Sequence, residues 1–267
     1  MESIRLVRVA TRVSLVVALR DGFTLGAPSD KTLEVRLEGY LRRPVAKADG
    51  TYIFNDLTSG TYRLHIDATY YFRETLEVSV GIGAQHVLLP VTLLPTPSYP
   101  YTNGDTLIRA MLVERTGSPV SGARVTATIL SDDNAKGRLA DDAAKGSDTI
   151  VAASLIGRLD QGDRLLLLGR GSKEGRESAV IAEVVEYQRK FKLEKPLDSS
   201  YPRGSMLLPV YRSRTTERGE LAIAIPGGRA KTFMVELRIE PASGGPEAVD
   251  QFVAEEGGTV NIGSWIL

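Results

Sequence analysis

Residues 48–67 read ADGTYIFNDLTSGTYRLHID, and this stretch decides the fold. Asp49-Gly50 and Ser59-Gly60 are turn-forming dipeptides, and each is followed by a run rich in aromatic and β-branched residues. In the second run, Tyr62, Leu64 and Ile66 alternate with polar residues. Such alternation is typical of a β-strand that buries one face and leaves the other in water. The stretch therefore predicts a short strand and a longer strand, each preceded by a glycine turn.

The same alternation recurs along the whole chain, and Gly, Pro, Asn and Asp separate the runs. It is clear at residues 33–38 and 76–80. Strands at this spacing indicate an all-β sandwich or barrel. The length of 267 residues fits one large or two small domains, and with 42% hydrophobic and 25% charged residues the chain can form a sizeable core. The best helical candidate, 132–145, lacks apolar residues at helical spacing, so we expect a loop there.

The pattern predicts a chain of β modules. We expect a first β-sandwich over residues 4–95, a proline-rich linker over 96–104, and a second, discontinuous sandwich over 105–147 and 213–267. Between the two parts of the second sandwich, residues 148–212 contain five further strand-like runs. Five short strands can close into a small barrel of the SH3 or OB type, and an exposed sandwich loop tolerates such an insertion.

The second half of the chain weakly repeats the first. Residues 217–228 and 233–239 repeat the order of glycine turn, short strand, glycine turn and longer strand seen in 48–67. The segments Asp49–Ile66 and Pro119–Val125 resemble the motifs of the carboxypeptidase-regulatory-like, transthyretin-like β-sandwich family. The resemblance covers most of residues 10–95 and is fainter in the second half. It implies two Ig- or prealbumin-like sandwiches without catalytic activity.

The residues needed for most kinds of active site are missing. The chain has no Cys, which excludes disulfides, thiolate metal sites and cysteine nucleophiles. Its two histidines, His65 and His86, belong to no metal-binding or hydrolase motif. The glycine-rich stretch 169–175 lacks the ending of a phosphate-binding loop and is interpreted as a hairpin turn. We therefore expect no catalytic, cofactor-binding or metal-binding residue and no enzyme.

Candidate partner-binding residues fall into three groups: Tyr70, Tyr71 and Phe72, then Arg189 and Lys190, then Trp265, Ile266 and Leu267. Three consecutive aromatic side chains cannot all face one core, because side chains alternate along a strand. Tyr71 is taken as the outward member, so a Tyr71→Ala variant is expected to stay folded. The C-terminal group is either a last sandwich strand or a docking tail. The basic pair adjoins Tyr187 and Phe191, but the formal net charge of zero gives no reason to expect a nucleic-acid partner.

These features favour an adaptor that binds other protein subunits, in symmetric copies, within a large assembly. The combination of sandwiches and an inserted barrel is similar to accessory proteins of phage-tail-like contractile injection systems, which implies a cap, collar or baseplate role. The alternative is a carbohydrate- or surface-binding adhesion module. No apolar run is long enough to span a membrane, and no signal peptide is recognised. We therefore expect a cytoplasmic protein, or part of a particle assembled in the cytoplasm, without membrane insertion.

Overall fold

The computed structural model describes residues 11–81, 86–169, 175–227 and 231–267. It divides into two compact units, the first of which comprises Leu25–Leu93 and the residues up to Asp21. The second unit comprises Gly22–Thr24 and Leu94–Leu267. Within the described residues the regular elements are β-strands and one 3-10 turn, with no α-helix. The prediction of an all-β sandwich fold is confirmed.

The first unit is built from two small sheets. Its strands are β1 (Val13–Asp21), β2 (Glu34–Leu37), β3 (Val45–Ala46), β4 (Thr51–Asn55), β5 (Gly60–Asp67), β6 (Glu74–Val80) and β7 (Val87–Leu93). One sheet has the order β3-β4-β1-β7, and the other has the order β2-β5-β6. Leu64 and Ile66 of β5 are buried together with Leu15 and Phe54, so alternation correctly identified the buried face.

The second unit contains the remaining strands. They are β8 (Thr106–Val113), β9 (Arg124–Ile129), β10 (Gly137–Leu139), β11 (Thr149–Ala153), β12 (Arg164–Leu168), β13 (Arg176–Glu186), β14 (Lys190–Leu193), β15 (Met206–Arg214), β16 (Glu220–Ile225), β17 (Thr232–Glu240), β18 (Ala248–Glu255) and β19 (Thr259–Ile266). The sheet β16-β8-β19 shares one apolar core with β9, β17 and β18. That core includes Ile108, Val125, Ile223 and Leu237.

Six strands of the second unit form a closed ring. Their order is β10-β11-β14-β13-β12-β15, and an additional pairing of β10 with β15 closes the circle. The ring encloses its own core, which includes Ile150, Leu167, Phe191 and Leu207. It begins at Gly137, inside the stretch interpreted as a loop and ahead of the predicted start at residue 148. That the ring is an SH3- or OB-like insertion remains a prediction.

Strand β15 belongs to both the ring and the sandwich. Its first half, from Met206 to Pro209, pairs with β12 of the ring. Its second half, from Val210 to Arg214, pairs with β9 of the sandwich sheet. The two cores of the second unit are thus joined by one continuous strand.

The weak sequence repeat corresponds to a repeated topology. In each unit the first strand pairs antiparallel with one neighbour and parallel with the last strand of the unit: β1 with β4 and β7, and β8 with β16 and β19. Gly50 and Gly219 precede the equivalent strands β4 and β16, at φ +83° and +80°. A Cβ there would lie 2.7 Å from the carbonyl oxygen of Leu19 and 2.4 Å from that of Leu112. Only glycine fits this approach, which explains why the turn recurs in the sequence.

The proline-rich residues 96–104 belong to the second unit. Tyr99 is buried, and the rings of Tyr99 and Tyr101 meet the ring of Phe23 edge-on, at centroid distances of 6.1 and 5.5 Å. This packed segment differs from the extended linker that its prolines predict. The prolines restrict the backbone conformations of this segment, but Tyr99 and Tyr101 bury apolar surface when their rings pack against Phe23, and this holds the segment in place.

Candidate functional site

The aromatic triplet divides between the interior and the surface of the first unit. Tyr71 is only 2% exposed, and its hydroxyl donates a 2.6 Å hydrogen bond to Oδ2 of the buried Asp21. Tyr70 is the exposed member, and Phe72 is partly buried. The expectation that Tyr71 points outward is therefore wrong. Asp21 supplies an acceptor inside the unit, and this acceptor holds the phenol inward.

The basic pair lies at the hairpin between β13 and β14. Arg189 and Lys190 are both exposed, and Arg189 donates a 3.0 Å hydrogen bond to Oε1 of Glu186. Of the neighbouring aromatic residues, Tyr187 is 73% exposed, whereas Phe191 is fully buried in the ring core. A continuous aromatic and basic surface is therefore not formed at this hairpin.

The C-terminal group forms the end of β19. Trp265 and Leu267 pack against the sandwich core of the second unit, while Ile266 points away from it and is 63% exposed. The strand runs parallel to β8, and the backbone N–H of Leu267 donates to the carbonyl oxygen of Val113 at 2.9 Å. Of the two interpretations left open by the sequence, the structure shows the last sandwich strand.

The histidine singled out in the sequence has polar neighbours but no base-like arrangement with Asp67. Nδ1 of His65 lies 3.2 Å from the hydroxyl of Thr75. Asp67 instead accepts hydrogen bonds from Arg36 and Arg73. The glycine-rich stretch 169–175 lies for the most part outside the described residues.

A cleft lined by both charged and apolar side chains in the second unit was not foreseen from the sequence. It has a volume of about 1060 Å³ and opens between the outer wall of the ring and the outer face of the sandwich sheet. Arg164 and Ser178 line the ring side, and Thr126 and Arg238 line the sheet side. The ring and the sandwich sheet meet where β15 passes from one to the other, so this shared strand forms the inner corner of the cleft.

A buried carboxylate lies beside the cleft. Glu236 of β17 is only 2% exposed, although its place in the alternation puts it on the outer face of the sheet. Its carboxylate accepts hydrogen bonds from Arg176 and Arg238 at 2.7 Å and from Gln251 at 2.8 Å. Because Arg176 comes from β13 of the ring, this network ties the ring to the sandwich across the cleft. Such a buried charge persists because it is paired and hydrogen-bonded on several sides.

Acidic groups at the rim respond to this crowding. Burial raises the pKa of Glu247, and the negative charge of Glu240 raises it further, whereas Arg176 opposes the shift. Inside the ring, burial is the main cause that raises the pKa of Tyr201 to about 12, and the nearby Glu177 is the second cause.

Among the described residues, no three His, Asp or Glu side chains are grouped so as to hold a metal ion. Nor do these residues include a helix with the length and apolar character needed to cross a membrane.

The three predicted groups and the cleft are separate features. The aromatic triplet belongs to the first unit, the basic pair to a hairpin of the ring, and the C-terminal group to the sandwich sheet of the second unit. None of these residues lines the cleft. A charged residue at every second position of β17, visible as Glu236, Arg238 and Glu240, was the available signal.

Comparison with known proteins gives only weak structural similarities. No family model and no curated protein matches the sequence. Among solved structures, the chain is similar to the TIE protein of Bacillus anthracis, at 12% identity and a TM-score of 0.27, covering 96% of this chain and 50% of that one. A DUF3823 family protein from Bacteroides ovatus has 14% identity and a TM-score of 0.24, over 94% and 100% of the two chains. A streptococcal ancillary pilin has 10% identity and a TM-score of 0.23, over 96% and 68%. The chain thus spans half the length of the TIE structure, and similarities this weak do not bear on function.

Proposed function

We propose that this chain is a non-catalytic adaptor that binds partner subunits of a large assembly through its β surfaces. In the most specific form of the proposal, it is a cap, collar or baseplate component of a phage-tail-like contractile injection system, present in symmetric copies. The observation that carries the adaptor role is an open sheet edge with apolar side chains beside it.

That edge is β18. Within the described part of the chain, β18 pairs only with β17, so its outer row of backbone groups has no partner strand. Val253 is 59% exposed, and Met234, its register partner on β17, is also exposed. Val249 lies on the same face and is likewise exposed. An exposed edge with apolar side chains is a template for an incoming strand, which gains backbone hydrogen bonds and apolar contacts together.

The test compares two matched lysine variants. Val253→Lys places a charge on the proposed edge, while Val185→Lys places one at a 51% exposed position on β13, which is paired on both sides by β12 and β14. Tagged chains are expressed in the native cells and recovered by sedimentation of large particles. We expect the native chain and Val185→Lys to sediment with the particles, and Val253→Lys to remain in the light fractions while keeping its far-UV circular dichroism spectrum.

Each outcome bears on a separate part of the proposal. If Val253→Lys sediments like the native chain, β18 is not the binding edge. If the native chain never sediments with a particle, the adaptor role is wrong. A strong glycan-array signal from such a chain would favour the carbohydrate-binding alternative. Identification of the co-sedimenting subunits by mass spectrometry tests the contractile injection system itself.

A further inference from the structure

One guanidinium in the cleft of the second unit has no ionic partner among the described residues. Arg164 begins β12 and lines the cleft from the ring side. Within the described ranges it takes part in no ion pair, and its buried Nε–H finds no acceptor. A buried donor on a charged group is costly to leave without a partner, so this arginine calls for an explanation.

The other two arginines of the cleft are paired. Arg176 binds Glu236, and Arg238 binds both Glu236 and Glu247. These two side chains therefore complete the internal network and tie the ring to the sandwich. Arg164 is the exception, because no carboxylate of the described residues is placed to meet it.

The surroundings of Arg164 strengthen its attraction for an anion. Leu166, on the same face of β12, is buried, and Val180, opposite Arg164 on β13, is partly buried. An apolar wall of this kind lowers the local dielectric constant, so that an ion pair formed there is worth more than one in water. A guanidinium also presents parallel N–H groups that match the two oxygens of a carboxylate or phosphate.

The acidic side chains of the cleft do not fill this role. Glu247 binds Arg238, and Glu240 binds Arg124. Glu177 accepts hydrogen bonds from the backbone N–H groups of Asp198 and Ser199. The two remaining acids of the lining, Glu194 and Asp198, are exposed at the rim.

We propose that the cleft binds a small anionic ligand whose carboxylate or phosphate group pairs with Arg164. The hydroxyls of Thr126 and Ser178 line the same space and suit a ligand that carries hydroxyl groups of its own. The volume of about 1060 Å³ lies just above the usual range of small-molecule sites, which leaves room for a ligand together with water. An acidic sugar or a sugar phosphate has this chemistry. The proposal is independent of the adaptor role, which concerns β18.

The experiment is isothermal titration calorimetry of the full chain with four probes: D-glucuronate, glucose 6-phosphate, inorganic phosphate and neutral glucose. Arg164→Gln is the test variant, and Arg115→Gln, at an exposed arginine of the turn after β8, is the control. We expect an anionic probe to bind, glucose not to bind, and Arg164→Gln to bind at least about tenfold more weakly, as for the loss of a charge-assisted hydrogen bond. Arg115→Gln should bind like the native chain.

The probes distinguish the two sources of the anion. Binding of glucuronate alone identifies a carboxylate ligand, and binding of the two phosphate probes alone identifies a phosphate ligand. The proposal is overturned if no anionic probe binds at about 10 mM, if glucose binds equally well, or if both arginine variants bind like the native chain. Thermal melting of Arg164→Gln checks that the variant is folded, and Arg164→Lys, which keeps the charge, should restore part of the affinity.

Discussion

The Tyr71 hydroxyl and the Asp21 carboxylate meet inside the first unit, 50 positions apart in the chain. Their hydrogen bond holds the connection between β5 and β6 against the end of β1. Alternation along a strand predicts which side chains point the same way, but it does not predict which of the two sides holds a hydrogen-bond acceptor such as Asp21. For this reason the sequence correctly predicted that the aromatic triplet must divide, and wrongly placed Tyr71 outside.

Removing the Tyr71 hydroxyl should therefore destabilise the protein. In Tyr71→Phe the ring remains, but the buried Asp21 carboxylate loses a charge-assisted donor. We expect the free energy of unfolding in urea to fall by about 1–3 kcal/mol. Tyr187→Phe, at a 73% exposed position, is the control and should change it by less than about 0.5 kcal/mol. An equal effect of the two variants would contradict the importance of this hydrogen bond.

A second residue-scale prediction concerns acid stability. Burial alone would raise the pKa of Asp30, but hydrogen bonds from Thr32 and from the N–H of Tyr70 outweigh it, so the pKa lies below its ordinary value of 3.8. A carboxyl whose folded-state pKa is lowered stabilises the protein above its unfolded pKa, and this stabilisation disappears as the pH falls through the folded pKa.

The Asp30→Asn variant isolates this contribution. It should be less stable than the native chain at neutral pH, and the difference should shrink as the pH falls below 3.8. Urea denaturation of both proteins over a pH series measures it. A difference that stays constant across the series would show that ionisation of Asp30 contributes nothing.

At the scale of elements, the pairing of β15 with β9 defines the two positions between which the ring can be deleted from the chain. Thr128 of β9 lies opposite Val210 of β15, so the sandwich strands stand side by side where the chain leaves for the ring. Replacing residues 130–208 with Asn-Gly, together with Pro209→Val, should join β9 to β15 as a two-residue hairpin, because a proline after the loop could not donate the closing hydrogen bond. We expect cooperative thermal unfolding of the sandwich to persist, measured by circular dichroism.

A one-residue change in the junction provides the control. Replacing residues 130–209 with the same Asn-Gly shifts the register of β15 and moves its inward side chains to the other face. This variant should lose the cooperative transition of the sandwich. If both deletions unfold alike, the pairing of β9 with β15 does not determine the stability of the sandwich.

Most elements could be predicted from the sequence, and the exceptions have physical causes. Runs such as Lys190–Leu193 alternate clearly and form strands as expected. β10 has only three residues in a polar stretch, too few to show a period, yet its pairing with β15 closes the ring.

The cleft could not be predicted because alternation describes one strand at a time. Alternation placed Glu236 on the outer face of β17, but it holds no information about an element that covers that face.

At the scale of the whole molecule, the sandwich core and the ring core of the second unit are both formed by residues that follow Leu94. The sandwich core includes Ile108 and Ala254 as its first and last buried members, and the ring core lies within that span. A fragment of residues 94–267 should therefore fold alone, although it lacks Phe23. We expect a β-type circular dichroism spectrum and a cooperative thermal transition.

The matched control ends at residue 225 and lacks β17, β18 and β19. It loses Phe233, Val235 and Leu237 from the sandwich core and should show no cooperative transition of that core. A fragment 94–267 that is unfolded would mean that the second unit depends on the first.

Composition and alternation predicted the all-β class of the molecule, but they could not reveal that the proline-rich residues pack with the second unit.

The continuous course of β15 determines how the ring can move. Domains inserted through two flexible linkers can swivel on them, but here one of the two connections is a strand hydrogen-bonded along both halves. Rotation of the ring against the sandwich would have to bend β15 or break its ladder, and the Arg176–Glu236 ion pair resists the same motion from the other side of the cleft. We therefore expect a force applied to the ring to be transmitted to the sandwich through β15 and not absorbed by rotation at this junction.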